Sequence, residues 1–157
     1  MTELALRFNE NKPRFDLIIL EHIVDSFNIG ISQRTDEKIL AFNVLQDISN
    51  FQQTKDVMFL DLASSRLTEY WYECAYVFEY GSKKYSDWNW LKGMKWSFYI
   101  ASLSRHLMKI LLNDEYYDIE SEKSHFGHVL CNIVMFKHTI KNFSELDDIP
   151  VFNKKAA

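Results

Sequence analysis

The sequence predicts an all-α domain of about five helices, and three observations carry the prediction. Chain breakers are scarce: four glycines and two prolines in 157 residues leave long stretches able to form helix. Apolar residues recur at helical spacing, most clearly Leu103, Leu107, Ile110 and Leu111. Side chains that cap helix N-termini stand where such runs begin, Thr35 before one and Ser121 or Ser124 before another.

From the N-terminus, residues 1–15 read as extended or irregular, because Pro13 pushes Lys12 out of the helical region. Leu17 to Phe27 is a short apolar helix, stopped near Gly30. Thr35 caps a second helix over 36–48, with Ile39, Leu40, Val44 and Ile48 at helical spacing. The apolar run Val57-Met58-Phe59-Leu60 fits either a buried helical turn or a strand. Ser64 or Ser65 opens a helix over 66–80, striped by Leu67, Tyr70, Trp71, Cys74 and Phe78. Glu69 and Glu73, four apart, share a neighbouring face of it. Residues 81–95 read as a loop. Trp96 to Leu112 is the clearest amphipathic helix, and the last long helix runs from Ser121 or Ser124 to about Asn142. These elements make one domain over 1–150, followed by a frayed tail over 151–157.

Composition narrows the function. The hydrophobic fraction is 47% and the charged fraction 25%, ordinary for a soluble globular protein. A formal charge of −4 argues against a general nucleic-acid coat, though not against a small phosphorylated ligand, which needs only local positive charge. Cys74 and Cys131 are far apart, are flanked by apolar residues and form no zinc motif, so buried free thiols are expected. No apolar run is long enough to span a membrane and no signal core stands at the N-terminus; a reducing, cytoplasmic setting is the expectation. No phosphate-binding loop, dinucleotide fingerprint or nucleophile elbow is present.

Four groups of residues can carry chemistry. His106 falls between Leu103 and Ile110 on an apolar face, with Arg105 about 100° around the helix; a satisfied core histidine is the plain alternative. His125, His128 and Asn132, spaced i, i+3 and i+7, share one stripe. A solvated stripe usually carries Lys and Glu; this one has neither, and His and Asn are residues that coordinate or hydrogen-bond a positioned group. Glu115, Asp118 and Glu120 lie between these two helices, where hard divalent ions find oxygen ligands, or where an acidic surface turn simply meets water. Lys83, Lys84, Lys92 and Lys95 surround Trp88 and Trp90: lysines pair with phosphates and an indole stacks on a base, unless the tryptophans merely pack inward.

Taken together these segments resemble the dATP/dGTP diphosphohydrolase N-terminal domain family of phages and bacteria. The matching pieces are Asn11-Lys12-Pro13-Arg14-Phe15-Asp16-Leu17, Glu73-Cys74-Ala75, Tyr80-Gly81, Lys84-Tyr85, Asn89-Trp90 and Gly93. Arg105-His106, Glu115, Asp118, Glu120-Ser121, His125, His128 and Asn132 continue the match, which is densest over the roughly 60 residues from Glu73 to Asn132. The resemblance implies a MazG-like helical arrangement. It also implies a divalent metal, Mg²⁺ or Mn²⁺, and cleavage of a purine deoxynucleoside triphosphate into monophosphate and diphosphate. By that resemblance Glu73, Glu115 and Asp118 are metal ligands, and His106 and His125 are further ligands or orient a water. Lys12, Arg14, Lys84 and Arg105 hold phosphates, while Asn89, Trp90 and Asn132 shape the nucleotide pocket. A homo-oligomer, dimer or tetramer, is expected because such domains enclose a nucleotide poorly alone and the chain is rich in aromatics.

Two departures stand out. Ile18 to Tyr72 separates pieces that lie closer together in the family, an inserted segment at about 18–72 that could form a lid, add an oligomer interface or change the ligand altogether. Glu122 stands where a glycine is usual. The competing expectation is a phage nucleotide-binding protein that has lost hydrolysis and sequesters a host defence signalling nucleotide.

Overall fold

Residues 4–5 and 11–152 are described by a computed structural model, and six α-helices carry them. These are α1 (Leu20–Asn28), α2 (Asp36–Thr54), α3 (Met58–Arg66), α4 (Trp71–Lys84), α5 (Trp96–Asn113) and α6 (His125–Asn142). Short 3-10 turns join them, and among the described residues the one β-bridge pairs Tyr117 with Ser124. The all-α prediction therefore holds. None of these helices is long and apolar enough to cross a membrane.

Local chemistry explains most boundaries. Thr35 Oγ1 accepts the Lys38 amide at 3.4 Å, and Asp36 and Glu37 follow in the first turn, where the helix dipole favours negative charge. Lys55, in the left-handed region at φ 57°, ends α2 and sends its ammonium to Asp147 and to the Ile149 carbonyl. The N-terminus of α5 has no local capping side chain. Asp148, 51 residues away, does the work by accepting the Ser97 amide at 2.9 Å and the Ser97 hydroxyl at 2.6 Å.

The elements depart from the sequence reading at several points. The second helix continues past Ile48 to Thr54, because Phe51 is fully buried and rewards the extra turns. The 57–60 run opens a helix rather than a strand. Ser64 and Ser65 lie inside α3 and cap nothing; the chain passes a 3-10 turn at Thr68–Tyr70 before α4 begins at Trp71. Gly81 does not stop α4, so the expected 81–95 loop starts only at Tyr85 and itself holds a turn at Asn89–Lys92. The first helix starts at Leu20, not Leu17: Gln52 accepts the Leu20 amide and donates to the Ile18 carbonyl, both at 2.8 Å, which holds the segment just before the helix extended against α2. The residues from 153 on, most of the expected tail, lie outside the described residues.

α6 is the central helix. It packs on α5 and α4, α5 also meets α2, and α1 and α3 lie on α2. The segment 18–72 thus supplies α1 to α3, and its Leu45, Ile48, Phe51 and Leu60 are fully buried. Phe136 of α6 stands at the crossing, stacked on Tyr99 (4.8 Å, 13°) and edge-on to Phe51 (5.2 Å, 79°). Cys74 and Cys131 are free and buried, as expected, and a hydrogen bond with Cys131 lowers the Cys74 thiol below its ordinary value.

Phe136→Ala removes the ring shared by three helices. It is expected to cost about 3–5 kcal/mol in urea-induced unfolding, near the top of the range for core truncations.

Candidate functional site

The site is built where α4, α6 and the 114–124 segment meet. α5 ends at Asp114, which adopts the left-handed conformation at φ 52° and turns the chain so that the Glu115 amide returns to the Lys109 carbonyl. The chain then folds over on itself: Asp118 donates its amide to the Lys123 carbonyl, Glu122 to the Asp118 carbonyl, and His125 to the Tyr116 carbonyl. Glu122 has φ 63°, so the position where the resemblance leads one to expect glycine is a left-handed one. Of the two serines proposed to open the last helix, Ser124 caps it by accepting the Phe126 amide at 3.1 Å. Ser121 serves the loop instead.

Two hydrogen-bonded chains run through this junction. In the first, Glu115 Oε2 lies 2.5 Å from His125 Nε2, and His125 Nδ1 lies 2.8 Å from His106 Nδ1. A carboxylate accepts, so His125 donates from Nε2 and keeps its lone pair on Nδ1. His106 then donates from Nδ1 and holds its acceptor lone pair on Nε2, a tautomer assigned from this network. In the second chain, Asp118 Oδ2 accepts the Ser121 amide (2.9 Å) and hydroxyl (3.0 Å), and the same hydroxyl oxygen lies 2.6 Å from His128 Nε2. The chains touch where His128 stacks on His106 at 4.5 Å and 12°. His125 is buried and His128 half-buried, so the imidazole stripe of α6 faces inward rather than to solvent.

One donor atom each from His106, Asp118 and His125 fall within 4.8 Å of one another, a group able to hold a metal ion. His106 and Asp118 also line a cavity of about 580 Å³, of a size that takes a small-molecule ligand. Lys12, Lys84, Asn89, Trp90 and Arg105 line it too, so seven of the twelve site residues that the resemblance implies share one space. Five others stand elsewhere. Glu115 and His125 lie behind the wall. Glu73 accepts the Ser124 amide at 3.0 Å, at the start of α6, and is outside the His106, Asp118 and His125 group. Asn132 is buried and donates to the His128 carbonyl one turn back. Arg14 pairs with Asp16 at 2.7 Å beside a smaller hollow, and that carboxylate raises the guanidinium pKa further.

Charge in the cavity is compensated rather than left bare. Lys84 Nζ lies 2.5 Å from Glu120 Oε1, which also accepts from the Tyr80 hydroxyl at 2.7 Å. The ammonium, and then the phenol, hold the Glu120 carboxyl below its usual range. The same contact raises Lys84, and desolvation together with Glu120 pushes the Tyr80 phenol up to about 12. Glu120 and His128, named in the sequence among the acidic and imidazole groups but given no specific role, belong to the site, and Tyr80 and Ser121 join them. His128 carries a signal in its spacing from His125; the pairing of Tyr80 with Glu120, 40 residues apart, carries none.

The family model described as dATP/dGTP diphosphohydrolase, N-terminal, matches residues 50–149, a stretch that holds α3 to α6 and both hydrogen-bonded chains. No curated protein and no solved structure matches the chain.

Gly127 lets α4 and α6 close on each other: a Cβ there would lie 2.8 Å from Glu73 Cβ and 3.1 Å from its carbonyl carbon. Gly127→Ala is expected to lower unfolding stability by about 1–3 kcal/mol in chemical denaturation. The Lys84–Glu120 pair sets a pH dependence. Because the folded state depresses the Glu120 pKa, its stabilisation is complete above the ordinary glutamate value of about 4.3 and is lost as pH falls through the folded value. Melting temperatures of the native chain and of Glu120→Gln should therefore differ slightly at pH 7 and converge near pH 3, the pair being exposed and hence weak.

Proposed function

The chain belongs to the dATP/dGTP diphosphohydrolase N-terminal family, and from that premise we propose that it hydrolyses a purine deoxynucleoside triphosphate, dGTP or dATP, to the monophosphate and diphosphate with a divalent metal. The observation that carries this reading is the convergence of His106, Asp118 and His125 at the wall of a cavity that also presents Lys12, Lys84 and Arg105. Basic side chains around a candidate metal group are what a polyphosphate needs.

The donor set bears on the metal. His125 gives Nε2–H to Glu115, so Nδ1, which accepts from His106 Nδ1 in the resting chain, is the nitrogen it would turn to the centre. A ligating histidine whose other nitrogen is held by a carboxylate is the usual outer-shell arrangement. Two imidazoles and one carboxylate suit a transition ion better than magnesium, which asks for oxygen. Manganese is therefore favoured over magnesium, and zinc or iron(II) also fit. A divalent ion there would neutralise phosphate charge and make a bound water more acidic.

The protein's own residues then take these roles. Asp118, oriented by the Ser121 amide and hydroxyl, offers a fixed carboxylate oxygen. Glu115 orients His125 rather than meeting the metal, and Glu73 fixes the start of α6. Lys84, Arg105 and Lys12 bind phosphate oxygens, while Asn89 and Trp90 bound the nucleoside end of the cavity. Trp71, Tyr72 and Tyr76 leave large aromatic surface exposed on α4, which supports the homo-oligomer in this proposal.

One observation favours the second reading, a nucleotide-binding protein without turnover. Asp118 is the one carboxylate of the cluster; Glu73, Glu115 and Glu120 are all engaged with protein groups.

Diphosphate release from dGTP and dATP with manganese, magnesium or zinc separates the two. Turnover is expected with manganese, abolished by chelator, reduced by at least about 100-fold in Asp118→Asn and by about 10–100-fold in Glu115→Gln. Nucleotide-induced thermal stabilisation without turnover would transfer the site to the sequestering reading. Neither turnover nor stabilisation would sink both.

A further inference from the structure

Trp88 holds a position in the cavity that folding alone explains poorly. It is 64% exposed, and among the described residues it is the only exposed large hydrophobic side chain that lines the cavity. Its backbone is left-handed, at φ 62° and ψ 12°. That conformation is uncommon for a bulky residue without Asn- or Gly-like freedom, and such outliers gather at ligand-binding positions. An indole held on a strained backbone at the mouth of a cavity loses twice, once to strain and once to water. Among the described residues its one ring neighbour is Trp90, tilted by 39° at 5.8 Å, which leaves most of the indole uncovered.

Trp90 is the opposite case. Its ring is walled by Phe78 at 5.5 Å, by the edge of His138 at 5.3 Å and by Trp88. It supports the mouth of the cavity and has little face to offer. The left-handed turn at Trp88 sets the second indole beside it, over the space where Lys84 and Arg105 also reach.

We propose that Trp88 is the platform on which the purine ring of the nucleotide stacks, and that its left-handed backbone is strain kept for that role. The inference rests on the nucleotide reading above and goes beyond it. Of the two tryptophans that the sequence offers for stacking, it assigns the base to Trp88 rather than to Trp90, which the resemblance implies, and it gives a physical source for purine preference. Stacking on an indole needs no particular hydrogen-bond pattern, and the larger purine covers more of the ring. Specificity between guanine and adenine must then come from polar groups deeper in the cavity.

The test uses the whole chain with manganese and the α,β-imido analogues of dGTP and dCTP, read by calorimetry and by tryptophan fluorescence. The dGTP analogue should quench the native fluorescence. Trp88→Gly relieves the backbone strain, so the unliganded variant should melt about 2–4 °C higher while its Kd for the dGTP analogue rises about ten- to hundredfold. The dCTP analogue should lose less, and Trp88→Phe should keep part of the purine affinity. Stability and affinity thus move in opposite directions, which a packing role cannot produce. A Trp88→Gly variant that binds the dGTP analogue as tightly as the native chain would overturn the proposal. So would one that loses stability together with affinity, because Trp88 would then be a structural residue. If the native chain binds neither analogue, the nucleotide reading itself falls and stacking falls with it; binding that ignores Trp88 leaves that reading standing and removes only this inference.

Discussion

The contact between Glu73 and the start of α6 holds the rest of the site in register. Gly127 has no side chain, so α4 comes within van der Waals distance of α6. At that distance the Glu73 carboxylate reaches the Ser124 amide, one of the donors that a helix N-terminus leaves unpaired. The first turn of α6 is thereby fixed in rotation as well as in position. His125 and His128 follow within four residues, and each imidazole meets a partner brought by a different segment: Glu115 and His106 for the first, Ser121 for the second. A rotation of α6 by one residue, about 100°, would break every one of these contacts at once.

The carboxylates divide the labour by location. Glu73 works at a helix end, Glu115 behind an imidazole, Asp118 at the cavity wall and Glu120 at its mouth against Lys84 and Tyr80. Only one of the four is therefore placed to meet a metal together with two histidines. The same segments that look alike as acidic residues in a sequence are separated by what their neighbours demand of them.

How much of this was legible follows from the range of the interactions. The fifth helix was readable almost to its ends, because Leu103, Leu107, Ile110 and Leu111 form a stripe that needs only local spacing to be seen. The inward face of α6 was legible from what it lacks, lysine and glutamate, and seven of the expected site residues do line one cavity. Ser64 and Ser65 misled, since a serine that can cap a helix can also sit near the end of one. Gly81 misled in the other direction: an interior glycine costs a helix only about 1 kcal/mol relative to alanine, and the packing of α4 on α6 outweighs it. Arg14 reads as a phosphate ligand until Asp16, two residues on, is seen to hold it. Glu73, read beside Glu115 and Asp118, turns out to be needed by a backbone amide 51 residues away, and no spacing rule reports a pairing over that distance.

The Lys84–Glu120 contact has a consequence for how the cavity chooses among anions. In the resting chain the ammonium already has a negative partner, with the Tyr80 hydroxyl bound to that same carboxylate. An arriving anion gains Lys84 only by exchange, and the energy of the swap is the difference between two attractions rather than the whole of one. A weakly charged solute, such as chloride or a lone carboxylate, merely matches what Glu120 already supplies. A group with several charged oxygens on one centre exceeds it. With phosphate bound as proposed, the mouth of the cavity would discriminate by charge density and ignore much of the background of small anions around it.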